Sequence, residues 1–325
     1  MIAAGQGNPN FDAIVTTTLR NYRTKLADNV TNNIPFLKMM EMKDKMRLLD
    51  GGDYITEELL YGENTTVTSF TGTDVISLAR QEGITSAQYY WKQVGGSVVM
   101  TATDMLRNAG REKIISLLDA RIFQTETTIS NKVATMLFAD GTGNGGKDIL
   151  GLDAIVSTTP AVGVLGGIDR SDANNSWWRN EANVGGFSFA AAGPSNFSAM
   201  VRLLTRGTDR PDLIVVGSDV YGYMQSAAFN RVFFDNPRLA DMNFQALKFE
   251  GIDVIFDSNC PSDRAYFLNT KYLKFNIHKD YNYKVGEMVP MTAVGQSAKA
   301  SLIELAAEMT CANCKLQGVI DNIAA

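Results

Sequence analysis

"NKVATMLFADGTGNGGKDILG", residues 131–151, holds the choice between two folds. Read as a nucleotide loop, Gly141 to Lys147 is G-x-x-x-x-G-K, while Gly141, Gly143 and Gly146 also spell G-x-G-x-x-G. Either reading would make the chain an α/β nucleotide-binding protein, its backbone N–H groups cradling phosphates. Such a loop must leave a buried strand and open a helix. Here the preceding pattern is itself helical: Ile115, Leu118, Ile122, Ile129, Val133 and Met136 recur at threes, fours and sevens across residues 111–139. On its other side "DILGLDAIVSTTP", residues 148–160, reads as strand and loop, and Asp148 stands where a magnesium-binding hydroxyl belongs. The glycines are therefore expected to end a helix of roughly 40 Å and to reverse the chain. A nucleotide-dependent enzyme using Gly141 to Lys147 remains as a remote alternative.

Upstream, residues 10–30 place Ile14, Leu19, Tyr22 and Leu26 at roughly helical spacing. Pro35 breaks that pattern, and residues 36–52 read as a charged connector ending in Gly51 and Gly52. From Asp53 the period changes to two. "DYITEELLYGENTTVTSF", residues 53–70, alternates polar and apolar side chains, with a turn expected at Gly62-Glu63-Asn64. "ITSAQYYWKQVGGSVVM", residues 84–100, is a second run rich in β-branched and aromatic residues. A lone hairpin of this kind is marginal in water and leaves unpaired edges, so it needs something to lie against, which another chain could supply.

Downstream, residues 150–270 read as an α/β region. "SNFSAMVRLLTRG" is a helix with Ser195 as N-cap and Gly207 as its stop. "DLIVVGSDVYGYMQSAAFN" is a buried strand followed by a helix, and "GIDVIFDSNC" and "RAYFLNT" are further strands. The last stretch, from Ser297, alternates again. Ile303, Leu305, Ala307 and Met309 share one face, with Glu304 and Glu308 on the other.

The totals narrow the function. At 325 residues the chain has room for about two domains. Apolar residues at 45% and charged residues at 20% are a globular balance. A net charge of -5 with scattered Lys and Arg lacks the basic footprint of a sequence-reading DNA binder. No apolar run approaches the ~20 residues of a membrane span, and the first dozen residues lack the pattern of a signal peptide. Three cysteines fit a reducing compartment rather than a disulfide framework, so a soluble intracellular product is expected.

Cys311 and Cys314 form C-x-x-C, but a structural zinc site wants four ligands and only Cys260 and the single histidine, His278, remain. The pair ends a strand instead of opening a helix, and reads as two buried or half-buried thiols. His278 sits in a polar stretch and reads as a solvated residue, as do Glu57, Glu58, Asp209 and Asp212. No catalytic, metal or cofactor residue is assigned. "GGIDRSDANNSWWRNEAN", residues 166–183, is different: Trp177 and Trp178 lie among small polar residues with Asp169, Arg170 and Arg179. Trp and Arg together mark interfaces, and the same residues could equally tie a surface loop to its own domain.

This stretch, with "GLDAIVS", "PDLIVVGSDVYGYMQ" and the ending "TCANCKLQGVI", resembles one branch of the major capsid proteins of tailed bacteriophages. The resemblance runs from about residue 10 to 320. It implies an α+β fold of the Hong Kong 97 type, with an N-terminal arm over 1–50 and an extended E-loop hairpin over 51–100. Residues 101–150 and 272–325 would form a P-domain with a spine helix and a sheet, and 151–271 an α/β A-domain.

The resemblance further implies self-assembly into pentamers and hexamers of an icosahedral shell around double-stranded DNA. A separate scaffolding protein, a portal and a decoration protein would be partners, and no membrane. The chain would be built in the host cytoplasm and end in the virion. Tyr54, Tyr61 and Phe70 would be E-loop contacts, and Trp177, Trp178, Arg170 and Arg179 would serve between subunits or as anchors of the A-domain. An encapsulin-type bacterial nanocompartment shell shares this fold and is the alternative.

Overall fold

A computed structural model describes residues 34–107, 117–228, 247–292 and 295–325. The helix expected over 10–30 and the start of the 111–139 helix lie outside the described residues. The chain divides into two compact units, one of residues 1–33, 93–133 and 280–306, the other of 34–92, 134–279 and 307–325.

The larger unit is built on a mixed sheet. Its strands run in the order Leu247–Phe249, Ile252–Phe256, Leu213–Val216, Ala265–Leu268, Gly318–Ile320, Glu181–Asn183. Leu213–Val216 and Ala265–Leu268 are buried along their whole length. That is why both read as unbroken apolar runs: a strand covered on both faces has no polar alternation. Helices Phe189–Leu203 and Ser218–Ala228 cover the sheet, setting Phe197, Met200 and Leu204 against Ile214, Val216, Phe267 and Ile320. The first of these helices opens at Phe189, after Ser188, and not at Ser195. Pro194 lies inside it, and tertiary packing overrides the break: the Phe189 ring occupies the space beside Gly193 and meets Phe197 at 5.5 Å.

Pro35 likewise starts an element. It is the first residue of helix Pro35–Met42, where its missing N–H has no helical partner to lose. Phe36, Met39 and Met40 are buried, and the Phe36 N–H donates to Asp257 Oδ2 at 3.2 Å. Strand Met46–Leu49 comes next, parallel to Leu273–His278, which pairs in turn with residues 307–311. The stretch read as a charged connector is thus a helix and a strand. His278 ends a strand, edge-on to Trp91, and is not a loop residue.

The hairpin exists, with a different connection. Ile55–Leu60 pairs antiparallel with Ile84–Tyr89, so the chain does not turn at Gly62-Glu63-Asn64 but runs on to Gly83 before returning. Tyr61 and Gly62 both donate to Gly83 O, and the two glycines approach too closely for a Cβ on Gly83. At the root of the hairpin Glu57 is buried, not solvated. Its carboxylate accepts from Arg47 at 3.3 Å, Lys274 at 2.9 Å and Thr310 at 3.2 Å. Alternation along Ile55–Leu60 turns Glu57 inward with Ile55 and Leu59, and the two cations make that burial tolerable.

In the smaller unit, strand Lys92–Thr101 and the first part of Ala298–Cys311 pair, joined by Lys284–Val285 and Val289–Pro290. Residues 84–100 are therefore two strands with different partners. Helix Leu117–Met136 is amphipathic as expected and ends three residues earlier than 139. Gly96 lets it approach the strand, since a Cβ there would stand 2.5 Å from Thr125 Cγ2. Arg121 pairs with the buried Asp104 at 3.2 Å.

After Met136 the chain reverses, with Gly141, Asn144, Gly145 and Gly146 all at positive φ. Within the loop Thr142 N donates to Asp140 Oδ1, Gly146 N to Thr142 O, and Lys147 and Asp148 N to Gly143 O. The loop follows helix Leu117–Met136 and not a buried strand, which is not the setting of a nucleotide loop. The reversal returns Leu152 N to Leu137 O at 2.7 Å and lays Gly151 against the helix end.

Glu308 is a second correction to the alternating pattern. From Leu305 onward both faces of the strand are covered, so Glu308 is buried with the apolar residues. Its Oε1 accepts from Leu150 N at 2.8 Å and Met309 N at 3.0 Å. Burial pushes its pKa up to about 8, opposed by those two N–H groups and by Lys92. An acid with a raised folded pKa favours the fold fully below its unfolded value and loses that contribution as pH rises through the folded one. Glu308→Gln keeps the accepting oxygen and cannot ionise. It is expected to flatten the loss of stability between pH 4.5 and 8, and to exceed the parent by a few kcal/mol above that window, on the order of 2–4. Denaturant unfolding across a pH series checks this; parallel curves for the two proteins would refute it.

Candidate functional site

The stretch 164–183 condenses around one buried cation. Val164–Leu165 and Ile168–Asp169 form a two-stranded turn, with Gly166 and Gly167 at positive φ between them. Gly166 comes so close to the hairpin that a Cβ would be 2.7 Å from Ala87 Cβ, and its carbonyl accepts from Gln88 N at 2.9 Å. Arg170 then turns inward and is 2% exposed. Its guanidinium donates to Ala154 O at 3.0 Å and Ile155 O at 2.7 Å, and reaches Cys314 Sγ at 3.5 Å. A cation against carbonyls at a helix end is a favourable placement.

Arg179 works on the same loop from outside. Its Nε donates to Arg170 O at 2.7 Å and its Nη2 to Ser171 O and Asp172 O. Asp172 accepts from Asn174 N, and Asp169 from Ser171, whose hydroxyl and N–H hold the Asp169 carboxyl below its usual range. Trp178 is 1% exposed and donates through Nε1 to Leu165 O at 3.0 Å. Asn180 closes the motif by exchanging hydrogen bonds with the Ser157 backbone. Arg170, Trp178 and Arg179 are thus engaged with their own unit.

Trp177 points the other way. Its ring stacks on Tyr61 with centroids 5.0 Å apart and planes at 22°, joining the loop to the hairpin. The pair stands in an open groove of about 850 Å³ lined also by Arg80, Glu82, Ile84 and Asp169. Sequence reading singles out Tyr61 and Trp177 but not their meeting, and it misses Arg80 and Glu82. Tyr54 lies apart, edge-on to Tyr90. Phe70 is exposed on the 61–83 connection. Val67, Val75 and Leu78 on the same connection are 81%, 94% and 97% exposed. These large apolar side chains stand in solvent on the lone chain.

Among the described residues no group of three or more His, Cys, Asp or Glu could hold a metal ion, and no helix is long and apolar enough to cross a membrane.

No protein-family profile matches the sequence, and no curated protein matches it either. Solved structures do match in fold. The capsid asymmetric unit of cyanophage A-1(L) aligns at a TM-score of 0.67 and 16% identity, covering 93% of this chain and 96% of that one. The SrpI encapsulin of Synechococcus elongatus PCC 7942 aligns at 0.57 and 8% identity, over 95% of each chain. A Mycobacterium phage Bobi chain aligns at 0.54 and 13% identity, over 92% of this chain and 94% of that one. At these identities the likeness is one of fold.

Proposed function

We propose that this chain, whose fold is that of bacteriophage major capsid proteins, is a structural subunit whose work is to assemble with copies of itself. In this reading it forms the pentamers and hexamers of a tailed phage's icosahedral shell around double-stranded DNA. The observation that carries the reading is the 61–83 connection, whose apolar side chains stand bare at the end of a hairpin with a firmly held root. A neighbouring copy is the partner that such a surface fits.

The Hong Kong 97 layout is part of the same proposal. Residues 1–50 are the arm, 51–100 the E-loop over a neighbour, 101–150 with 272–325 the P-domain, and 151–271 the A-domain. Trp177, with Tyr61, faces the neighbour. A separate scaffolding protein, a portal and a decoration protein are the partners, and assembly takes place in the host cytoplasm. The net charge of -5 suits a container that encloses DNA without gripping it.

The test is size-exclusion chromatography of the purified protein, alone and with its scaffold, and then negative-stain imaging of the void fraction. Closed polyhedral particles are expected. A monomer or dimer that persists with the scaffold supplied would overturn the proposal. The encapsulin likeness supports a second reading, a bacterial nanocompartment shell. The contents separate the two: nucleic acid for the phage capsid, an enclosed protein for the nanocompartment.

A further inference from the structure

Asn144-Gly145 is the one Asn-Gly pair of the sequence, and it sits at the tip of the glycine reversal. Asn144, Gly145 and Gly146 are exposed, and Asn144 lies in the left-handed region at φ 52° and ψ 37°. Asparagine tolerates that conformation better than most residues. The bonds that shape the reversal bypass the peptide between Asn144 and Gly145: Gly146 N donates to Thr142 O, and Lys147 N to Gly143 O. Among the described residues no hydrogen bond engages Asn144 O, Gly145 N or the Asn144 carboxamide. Nothing lies within 4 Å of a carbon added at Gly145 or at Gly146.

We propose that Asn144 is a self-modification site, at which the folded chain converts its own asparagine to aspartate and isoaspartate with water as the co-reactant. The Gly145 nitrogen attacks the side-chain carbonyl carbon of Asn144. A new C–N bond forms, the bond from that carbon to the carboxamide nitrogen breaks, and the Gly145 proton departs with that nitrogen as ammonia. Water then opens the cyclic imide at either of its carbonyls. One opening restores the ordinary main chain with an aspartate; the other leaves isoaspartate, whose main chain is one carbon longer. One ammonia is released, one water is consumed, and no oxidant or reductant takes part.

The fold selects this position. Ring closure needs the peptide between Asn144 and Gly145 to turn until its nitrogen faces the side chain. Opposite rotations about Asn144 ψ and Gly145 φ turn that single peptide and leave the chain on both sides in place, and glycine admits the φ that results. No hydrogen bond is lost, because this peptide carries none among the described residues. Asp140-Gly141, in the same loop, is held instead. Asp140 Oδ1 accepts from Thr142 N at 3.0 Å and from Thr142 Oγ1 at 2.7 Å, bonds that keep its carboxyl below the usual range. An ionised carboxylate is a poor target for a nitrogen nucleophile. Asn175-Ser176 is restrained too: Asn175 Nδ2 donates to Asp169 O at 2.8 Å, and its N–H to Asp172 O at 3.1 Å.

The test incubates the folded full-length protein in mildly alkaline buffer made with heavy-oxygen water and follows its peptides by mass spectrometry. A synthetic peptide of residues 140–148 is the reference. Asn144 is expected to convert ahead of Asn175 and at a rate close to that of the peptide. Both aspartate and isoaspartate should form, each carrying one heavy oxygen. An Asn144 that stays intact while the peptide converts would overturn the proposal, and so would aspartate without isoaspartate. Gly145→Ala crowds the attacking nitrogen and restricts the turning of the peptide. That variant should remain intact when half of the parent has converted; conversion at the parental rate would refute attack by this nitrogen.

Discussion

A Gly151→Ala protein is expected to accumulate as unfolded or insoluble chain. The reason is steric and local. A Cβ at this position would stand 2.3 Å from both Met136 O and Ala139 O, and 2.8 Å from Ala139 N. All three are backbone atoms at the end of a helix, so no side chain can swing aside. The backbone itself is ordinary, with φ -106° and ψ -177°, and any residue could adopt it. The damage therefore comes from pushing the reversed chain off the helix, which also strains the 2.7 Å bond from Leu152 N to Leu137 O.

Such a displacement belongs with the severe class of core substitutions, more than about 4 kcal/mol, against a total stability of roughly 5–15 kcal/mol. Gly145→Ala is the matched control. Its φ is +70° but nothing lies within 4 Å of the added carbon, so it should cost only about 1–2 kcal/mol. Soluble yield and thermal melting of the two proteins decide the matter. A Gly151→Ala protein that melts like the parent would mean that the helix end yields, and that the reversal is looser than its geometry.

The second large effect concerns assembly. Replacing residues 63–82 with a two-residue Asn-Gly turn is expected to leave a folded protein that no longer closes shells. Folding should survive because the Ile55–Leu60 and Ile84–Tyr89 ladder is untouched, and Gly62 and Gly83 already lie side by side. The excised segment carries Val67, Phe70, Val75 and Leu78, all largely exposed in the lone chain. Burying each large apolar side chain in a neighbour is worth about 1.5–3 kcal/mol. Losing even two weakens every subunit contact by more than about a hundredfold. Light scattering and negative-stain imaging read the outcome. Normal particles from the excised protein would remove the observation on which the shell proposal rests.

Much of the fold is readable because its signals are local. Leu213–Val216 and Ala265–Leu268 are short unbroken apolar runs, and the long helix announces itself by its period. The glycine reversal is readable from the patterns that flank it. The failures share a cause. Glu308 sits in an alternating strand, where period alone puts it outside; the cover on its second face comes from residues far away in sequence. Glu57 shares the inward face of its strand with Ile55 and Leu59 and reads as solvated by residue type alone, although Lys274 and Thr310, distant in sequence, hold it. Pro35 reads by type as a break, although it begins a helix, and the helix expected to open at Ser195 opens at Phe189 with Pro194 held inside it by the packing of Phe189. At the candidate site, Arg170 and the tryptophans stand out by type. The meeting of Arg170 with Cys314, 144 residues away, leaves no pattern in either segment.

The buried charge at the root of the hairpin has a mechanical meaning. With Glu57 clamped by Arg47, Lys274 and Thr310, the two strands form a cantilever, rigid where it leaves the body and bare toward its tip. In the proposed shell its direction would be set when the subunit folds, before any neighbour arrives. Less freedom would then remain to be lost on contact, and the angle at which a second subunit settles would be inherited rather than negotiated. Curvature of the assembly would thus be written into a single subunit, at one carboxylate some distance from the surface that touches the neighbour.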